Sequence, residues 1–496
     1  LSSDNPVYDV IVVGGGPGGS TVSTLVAKQG HRVLLLEKET FPRYQIGESL
    51  LPSTVHGICR MLGVTKELED ANFMVKRGGT LLWGSNPEPW TFSFSISSKF
   101  SGAGATAFQV ERMKFDKILL DNARRNGVDV RERCSVLDVV EDESGRVCGV
   151  TYTDPDGAQR EARARIVVDA SGNKSRIHSR VHSKRVYSEF FRNLALFGYY
   201  RGGRRLPAPN RGNILGVAFE HGWFWYIPLT DDLTSVGAVL LPDALDRVQG
   251  DKEAALNGFI EDCPMIAEYL ADAHRVTSGT YGEIRVRKDY SYSREKFWRP
   301  GLVLIGDAAC FIDPVFSSGV HLATYSGLLS ARSINSVLAG TVDETASFDE
   351  FERRYRKEFA LFHDFLVAFY DMHQDEQSYF WKAKKVTNST ADHFESFVEL
   401  VGGGASADTA LFEAGYVESR QDAFQELSDI VEKRETGTGE EPDLFQSSLV
   451  KPILKGGANI QVQAALGSNA DEHTPMFEGG LVSSDDGMHW AVPTRS

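Results

Sequence analysis

The spacing of apolar positions changes twice along this chain. Near the start, continuous apolar runs at residues 7–13 and 31–36 flank a helical pattern that reaches about Lys28. Short apolar runs bounded by turn residues read as buried strands of a parallel sheet, and the periodic segment between them as a crossover helix. Further strands are expected around Val130 and Val150, at 166–168 and at 302–305. Between 193 and 242 the texture differs. Strands at 194–200, 214–220, 223–229 and 235–241 follow one another across short Gly or Asp turns, with no helix between them. That is the pattern of an antiparallel sheet inserted into a parallel one. Helical periodicity returns at 254–273 and at 347–400. Beyond Thr436 the chain is rich in Gly, Ser and Asp and poorly periodic, a tail expected to lie over the body or to move.

The first turn carries chemistry. Gly14-Gly15-Gly16-Pro17-Gly18-Gly19-Ser20 sits between strand and helix, and Glu37 closes the second strand. This is GxGxxG in the setting that dinucleotide binding requires. Gly14 permits the tight turn, Gly16 lets the backbone approach a pyrophosphate, and Gly19 allows close helix–strand packing; Pro17, Gly18 and Ser20 complete the cradle. An acid at the end of the second strand fits the adenosine ribose of FAD or NAD rather than NADP. Asp307, at the end of the strand expected at 302–305, is placed to accept from a ribityl hydroxyl, which favours FAD. No second GxGxxG stands between a strand and a helix. The glycines at 402–404 follow a helical pattern and read as a helix stop, so nothing is expected to hold NAD(P)H as well.

Residues 311–319, Phe-Ile-Asp-Pro-Val-Phe-Ser-Ser-Gly, form a loop feeding a helix that starts near Val320. A helix start exposes unpaired N–H groups and partial positive charge, which makes an anion site, and Pro314 keeps the preceding residue out of helical geometry. Arg43 could face a phosphate or flavin edge, or simply the solvent. Ser49 precedes an apolar segment and also suits a helix N-cap. Lys76 reads locally as an edge charge reaching water; buried, it would be a reactive amine. Gly78 and Gly79 after it read as a turn. Arg112 stands where a strand meets a helix, near the cofactor or in a capping ion pair. In the strand Trp223-Phe224-Trp225-Tyr226-Ile227-Pro228, alternation puts Trp223, Trp225 and Ile227 on one face and Phe224 and Tyr226 on the other.

Composition narrows the partners. The 496 residues include 53 basic and 68 acidic side chains, a formal charge of −15. A net acidic surface argues against nucleic acid or an anionic membrane. No apolar run approaches the ~20 residues that span a bilayer, and no secretory signal is expected. The chain opens on Leu1, so a few residues are expected to precede it. The cysteines Cys59, Cys134, Cys148, Cys263 and Cys310 are scattered and odd in number, giving neither a zinc site nor a disulfide framework. A cytoplasmic protein without metal is expected.

The residues now resemble a known family. Trp223-Phe224-Trp225-Tyr226-Ile227-Pro228 matches the WxWxIP signature of flavin-dependent halogenases. Phe311, Pro314, Ser317 and Gly319 match their FxxPxxSxG, and Lys76 sits where their essential lysine sits. The likeness runs from Val7 to about Trp381. It implies an α/β fold with an FAD-binding Rossmann-like domain of the flavin hydroxylase (GR2) type at 1–85, 105–190 and 275–340. An antiparallel substrate sheet would occupy 86–104 and 191–274, a helical C-terminal region 341–435 and an irregular tail 436–496. It implies FAD, delivered as FADH2 by a separate flavin reductase, and held by the glycine cradle with Glu37, Arg43, Ser49, Arg112, Asp307 and Val320. Chloride held by the amides of Ser318 and Gly319 would be oxidised through a flavin hydroperoxide to hypochlorous acid, which Lys76 positions or carries as a chloramine. Trp223, Trp225, Ile227 and Pro228 would strap the flavin off from the substrate.

Within the family the chain looks most like enzymes that chlorinate a tyrosyl or related phenolic group tethered to a peptidyl carrier protein, as in chondrochloren and enediyne antibiotic pathways. Tryptophan halogenases carry a glutamate where this chain has Phe316, so the base that takes the ring proton is unassigned. Carrier proteins are acidic, as is this chain. Arg201, Arg204, Arg205 and Arg211, or Arg285, Arg287, Lys288, Arg294, Lys296 and Arg299, would receive one, unless they form only a solvated arginine face. The competing readings are a flavin hydroxylase of the same fold, a prenyl-chain reductase, and an FAD-holding redox sensor.

Overall fold

A computed structural model describes residues 7–100, 102–371, 376–387, 391–406, 408–411 and 475–493. Val7–Val13 lies at the centre of a parallel sheet, between Gln159–Asp169 and Val33–Leu36. Leu302–Leu304 and Asp129–Arg131 extend it on either side. All these strands run the same way, so Gly14, Glu37, Ala170 and Ile305 emerge along one edge. In an open α/β sheet that carboxyl edge is where ligands bind. The helix Pro17–Ala27 follows the first strand, and it packs on the long helix Ser318–Ala339. Gly19 is obligatory there: a Cβ would stand 1.9 Å from the Gly14 carbonyl oxygen.

A second sheet runs in the order Cys310–Phe311, Arg285–Arg294, Arg185–Arg201, Leu233–Leu240, Gly222–Pro228, Ile214–Phe219, Gly78–Leu82, Trp90–Ser93. It takes in Gly78–Leu82 and Arg285–Arg294, which the sequence grouped with the cofactor domain. Gly78 and Gly79 are strand residues rather than a turn. A Cβ on Gly78 would lie 1.8 Å from the Phe92 carbonyl oxygen, so glycine is what lets the neighbouring strand come so close. The strand Gly222–Pro228 is wholly buried. Trp223, Trp225 and Ile227 belong to the main core, and Phe224 and Tyr226 to a separate one beneath the sheet. Gly237 faces Trp225 across the ladder, and the indole fills the space its side chain would take.

The helical region beyond 341 comprises Glu344–Phe369, Glu376–Thr387 and His393–Val401, ended by Gly402 and by Gly403 at positive φ. Residues 412–474, which hold much of the expected tail, lie outside the described residues. The last described stretch docks on the long helix. Arg332 Nε donates to the Gly487 carbonyl at 2.6 Å, Asn335 to that of Met488 at 3.0 Å, and the Trp490 indole to Ser333 Oγ at 2.8 Å.

Candidate active site

A cavity of about 650 Å3 opens along the carboxyl edge of the parallel sheet, and the second sheet forms its other wall. Gly14, Gly16, Pro17 and Gly18 line it, whereas Gly19 and Ser20 stand behind as packing residues. Ser20 Oγ donates to the Gly15 carbonyl at 3.0 Å. Glu37 also lines the cavity. Its carboxylate accepts from the N–H of Gly15 at 2.7 Å and of Glu39 at 2.8 Å, leaving lone pairs for ribose hydroxyls. Arg43 and Arg112 reach the wall together because both bind Asp116, a buried carboxylate not singled out in the sequence. Arg43 meets it at 2.8 Å, Arg112 at 2.7 and 2.9 Å. Arg112 also donates to the carbonyl of Ile46 at 2.7 Å, fixing the loop before Ser49.

Asp307 faces the cavity, and among the described residues no group donates to its carboxylate. Desolvation raises it to about 6 against the pull of Arg112, Arg185 and Arg287. A carboxylate without a protein donor, at the end of a strand beside a glycine cradle, is what a hydroxylated chain would satisfy. The cradle, Glu37 and Asp307 therefore fit FAD: Gly14–Gly18 would hold the pyrophosphate, Glu37 the adenosine ribose and Asp307 the ribityl chain.

Lys76 is 2% exposed. The strand Met74–Lys76 pairs with Ala107–Gln109 and turns the side chain inward. Nζ donates to Ser49 Oγ at 2.9 Å and to the Leu50 carbonyl at 3.0 Å, and lies 5.5 Å from the centre of the Phe94 ring. Among the described residues no carboxylate comes within ion-pair distance. Desolvation alone lowers the ammonium to about 7. Ser49 is no N-cap: it bridges to Gln109, and the following helical turn starts at Ser53. Its hydroxyl connects Lys76 to the cavity wall.

Elsewhere on the wall, Ser317 adopts a left-handed conformation, φ +60°, immediately before the helix Ser318–Ala339. Ser317, Gly319 and Val320 line the cavity, and a Cβ on Gly319 would meet nothing within 4 Å. Among the described residues nothing accepts from the amides of Ser318 or Gly319. Phe316 stacks on Phe365 at 5.2 Å, so this end is apolar where a glutamate would otherwise stand. Trp223, Trp225 and Ile227 face the cavity; Pro228 ends the strand outside it. The Trp223 indole donates to the Tyr370 hydroxyl at 2.8 Å, which donates to Asp313 at 2.6 Å. Neither Asp313 nor Tyr370 was predicted. Nor was Glu48, a buried wall residue beside Ser49.

A glycine cradle at the edge of a parallel sheet, closed by an aromatic antiparallel sheet, defines a flavoprotein with the architecture of flavin hydroxylases. The chain belongs to the tryptophan halogenase family, whose pattern it matches over residues 9–104 and 96–431. It is 33% identical over 405 residues to a tryptophan 2-halogenase of Chondromyces crocatus, covering 79% of this chain and 75% of that one. To the flavin-dependent halogenase armH3 of Armillaria mellea it is 30% identical over 499 residues, 96% and 93% of the two chains. Among solved structures, the myxobacterial chondrochloren halogenase CndH superposes with TM-score 0.74 at 51% identity, covering 98% of this chain and 100% of that one. An aklavinone-11 hydroxylase shares the fold at TM-score 0.61 and 20% identity, covering 75% of this chain and 70% of that one. The protein is a flavin-dependent halogenase with FAD as its cofactor. No helix among the described residues is long and apolar enough to cross a membrane.

Proposed function

We propose that the enzyme chlorinates the phenolic ring of a tyrosyl-type substrate tethered to a peptidyl carrier protein, with Lys76 handling the electrophile. The state of Lys76 carries this reading. It is a primary amine sealed from water, without a carboxylate, and burial has brought its pKa to about 7. At neutral pH much of it is free amine, a nucleophile. On meeting hypochlorous acid the amine exchanges one N–H proton for chlorine and releases water. Attack by the ring on that chlorine restores the amine once the ring proton has left.

FAD, reduced by a separate flavin reductase, would when bound supply the electrons that turn dioxygen into the oxidant of chloride. The chain's own residues do the placing. The amides of Ser318 and Gly319 hold chloride at a helix start. Trp223, Trp225 and Ile227 wall the flavin pocket off from the ring. A phenol activates its own ring, which suits an apolar Phe316. The likeness to the chondrochloren halogenase supports a substrate of the same kind as that enzyme's. A cytoplasmic location agrees with cysteines that are all unpaired.

The docking surface we favour is narrower than the arginine clusters of the sequence. Arg201 pairs with Asp232, Arg204 with Glu268 and Arg211 with Asp231. Arg287 and Lys288 instead line the cavity with no ion-pair partner among the described residues. They would meet an acidic carrier at the mouth.

The test is a reductase-coupled incubation with carrier-loaded tyrosyl substrate, with and without chloride, read by mass. A monochloro product that Lys76→Ala cannot form supports the reading. A hydroxylated product at equal yield without chloride rejects it in favour of a hydroxylase.

A further inference from the structure

Chloride enters the reaction as an anion and leaves in a neutral carbon–chlorine bond. FADH2, dioxygen, chloride, an aromatic C–H and one proton become FAD, the aryl chloride and two waters. Each turnover therefore draws one proton from solvent into a closed cavity, and the chain must supply a route.

One carboxyl in the wall has the required properties. Glu48 is 2% exposed. Its Oε1 accepts from the Tyr199 hydroxyl at 2.8 Å, and the Tyr44 hydroxyl lies 2.8 Å from that of Tyr199. With Tyr199 donating to the carboxyl, Tyr44 is the donor of the second bond, so both O–H groups point toward Glu48. Tyr199 is fully buried, whereas Tyr44 is half-buried and lines the cavity under the Arg285 guanidinium, 3.8 Å above its ring. The chain of hydroxyls thus runs from Glu48 through the buried Tyr199 to Tyr44, which is partly exposed on the cavity lining. The other oxygen, Oε2, is buried, and the Ser235 hydroxyl beside the carboxyl favours its anion.

We propose that Glu48 is the proton donor of the flavin pocket, resupplied from solvent through the hydroxyls of Tyr199 and Tyr44. When the Glu48 carboxyl O–H bond breaks, the proton goes to oxygen derived from dioxygen, on its way to water. The Tyr199 proton then passes to Oε1 and the Tyr44 proton to Tyr199. Water reprotonates Tyr44, and the two hydroxyls and the carboxyl then turn back to the starting pattern. Nothing is oxidised or reduced along this path. The groups that set its pH range are Arg112 and Glu111 at the helix start, Ser235 and Tyr199 on the sheet, and Tyr44 on the loop. Arg112, Ser235 and Tyr199 favour the anion and Glu111 opposes it, but burial outweighs them and holds the carboxyl at about 7. Glu48 is therefore still substantially protonated at neutral pH and returns its proton readily.

The inference rests on the halogenase assignment, but its test begins without cofactor. Infrared difference titration of the cofactor-free protein should show a protonated-carboxyl band that disappears as pH rises through neutrality and is missing in Glu48→Gln. In turnover, Glu48→Gln should slow chlorination on the order of 100-fold, the scale of a general acid, and lose the alkaline limb of the pH profile. Tyr199→Phe should keep the band and FAD affinity yet slow turnover and enlarge the solvent isotope effect. An unchanged band in Glu48→Gln, or wild-type rate and isotope effect in Tyr199→Phe, overturns the proposal. If Glu48→Gln does not fold, the Tyr199→Phe result decides alone. Failure of the wild type to chlorinate any phenol would instead reject the substrate assignment and leave the carboxyl titration readable.

Discussion

Lys76 donates to the Ser49 hydroxyl at 2.9 Å, and of the two residues Ser49 is the one on the cavity wall. The amine lies one side chain behind the cavity wall, where water does not reach it. Such an amine is costly to bury as a cation. In the folded protein its pKa falls from 10.5 to about 7. The unfolded chain then holds a proton that the folded one has lost, so stability rises with pH between these values and is flat below them. The full swing is on the order of 5 kcal/mol. Lys76→Met should accordingly be more stable than wild type near pH 6, with the advantage gone by about pH 10. Denaturant melts at the two pH values read this directly, and the variant should make no chlorinated product.

The proposed chloride cradle gives a second outcome. Gly319→Ala places a methyl group into open space at the helix start, without clash and without removing an amide. The fold and FAD affinity should persist. The KM for chloride should rise about tenfold, corresponding to roughly 1.4 kcal/mol. A chloride titration of turnover at saturating FADH2 measures it.

Charge reversal separates the basic surfaces. Arg287→Glu with Lys288→Glu should slow turnover of carrier-loaded substrate about tenfold at low salt, and less at high salt. Arg201→Glu with Arg204→Glu should change it little, since those arginines already answer Asp232 and Glu268. Equal effects of both pairs would place docking elsewhere.

The aromatic wall predicts a stability effect. A Cβ on Gly237 would stand 2.3 Å from the Trp225 indole. Gly237→Ala should cost about 1–3 kcal/mol through overpacking and loosen FAD, because the displaced ring lines the flavin cavity. Thermal melts and FAD binding should move together.

What the sequence revealed was local. The glycine cradle follows a strand–turn–helix grammar contained within a few residues. The division of Trp223, Trp225 and Ile227 from Phe224 and Tyr226 is period-two alternation, and the two cores follow it. What stayed hidden depends on distant contacts. Asp116 acquires its role by meeting Arg43 from far along the chain, and Glu48 by meeting Tyr199. Gly78 and Gly79 read as a turn because the strand that crowds them comes later. Lys76 reads as a surface charge from its neighbours; only its pairing with Ala107–Gln109 buries it, and only the family resemblance singled it out beforehand.

The helix that presents Ser318 and Gly319 is buttressed near its far end by Arg332, Ser333 and Asn335, which grip the backbone and indole of residues 487–490. These residues thus steady the scaffold of the proposed anion cradle from a distance. Shortening the protein before Gly487 would strip that support and leave Arg332 without its carbonyl. Halide handling, rather than flavin uptake, would be the first property to drift.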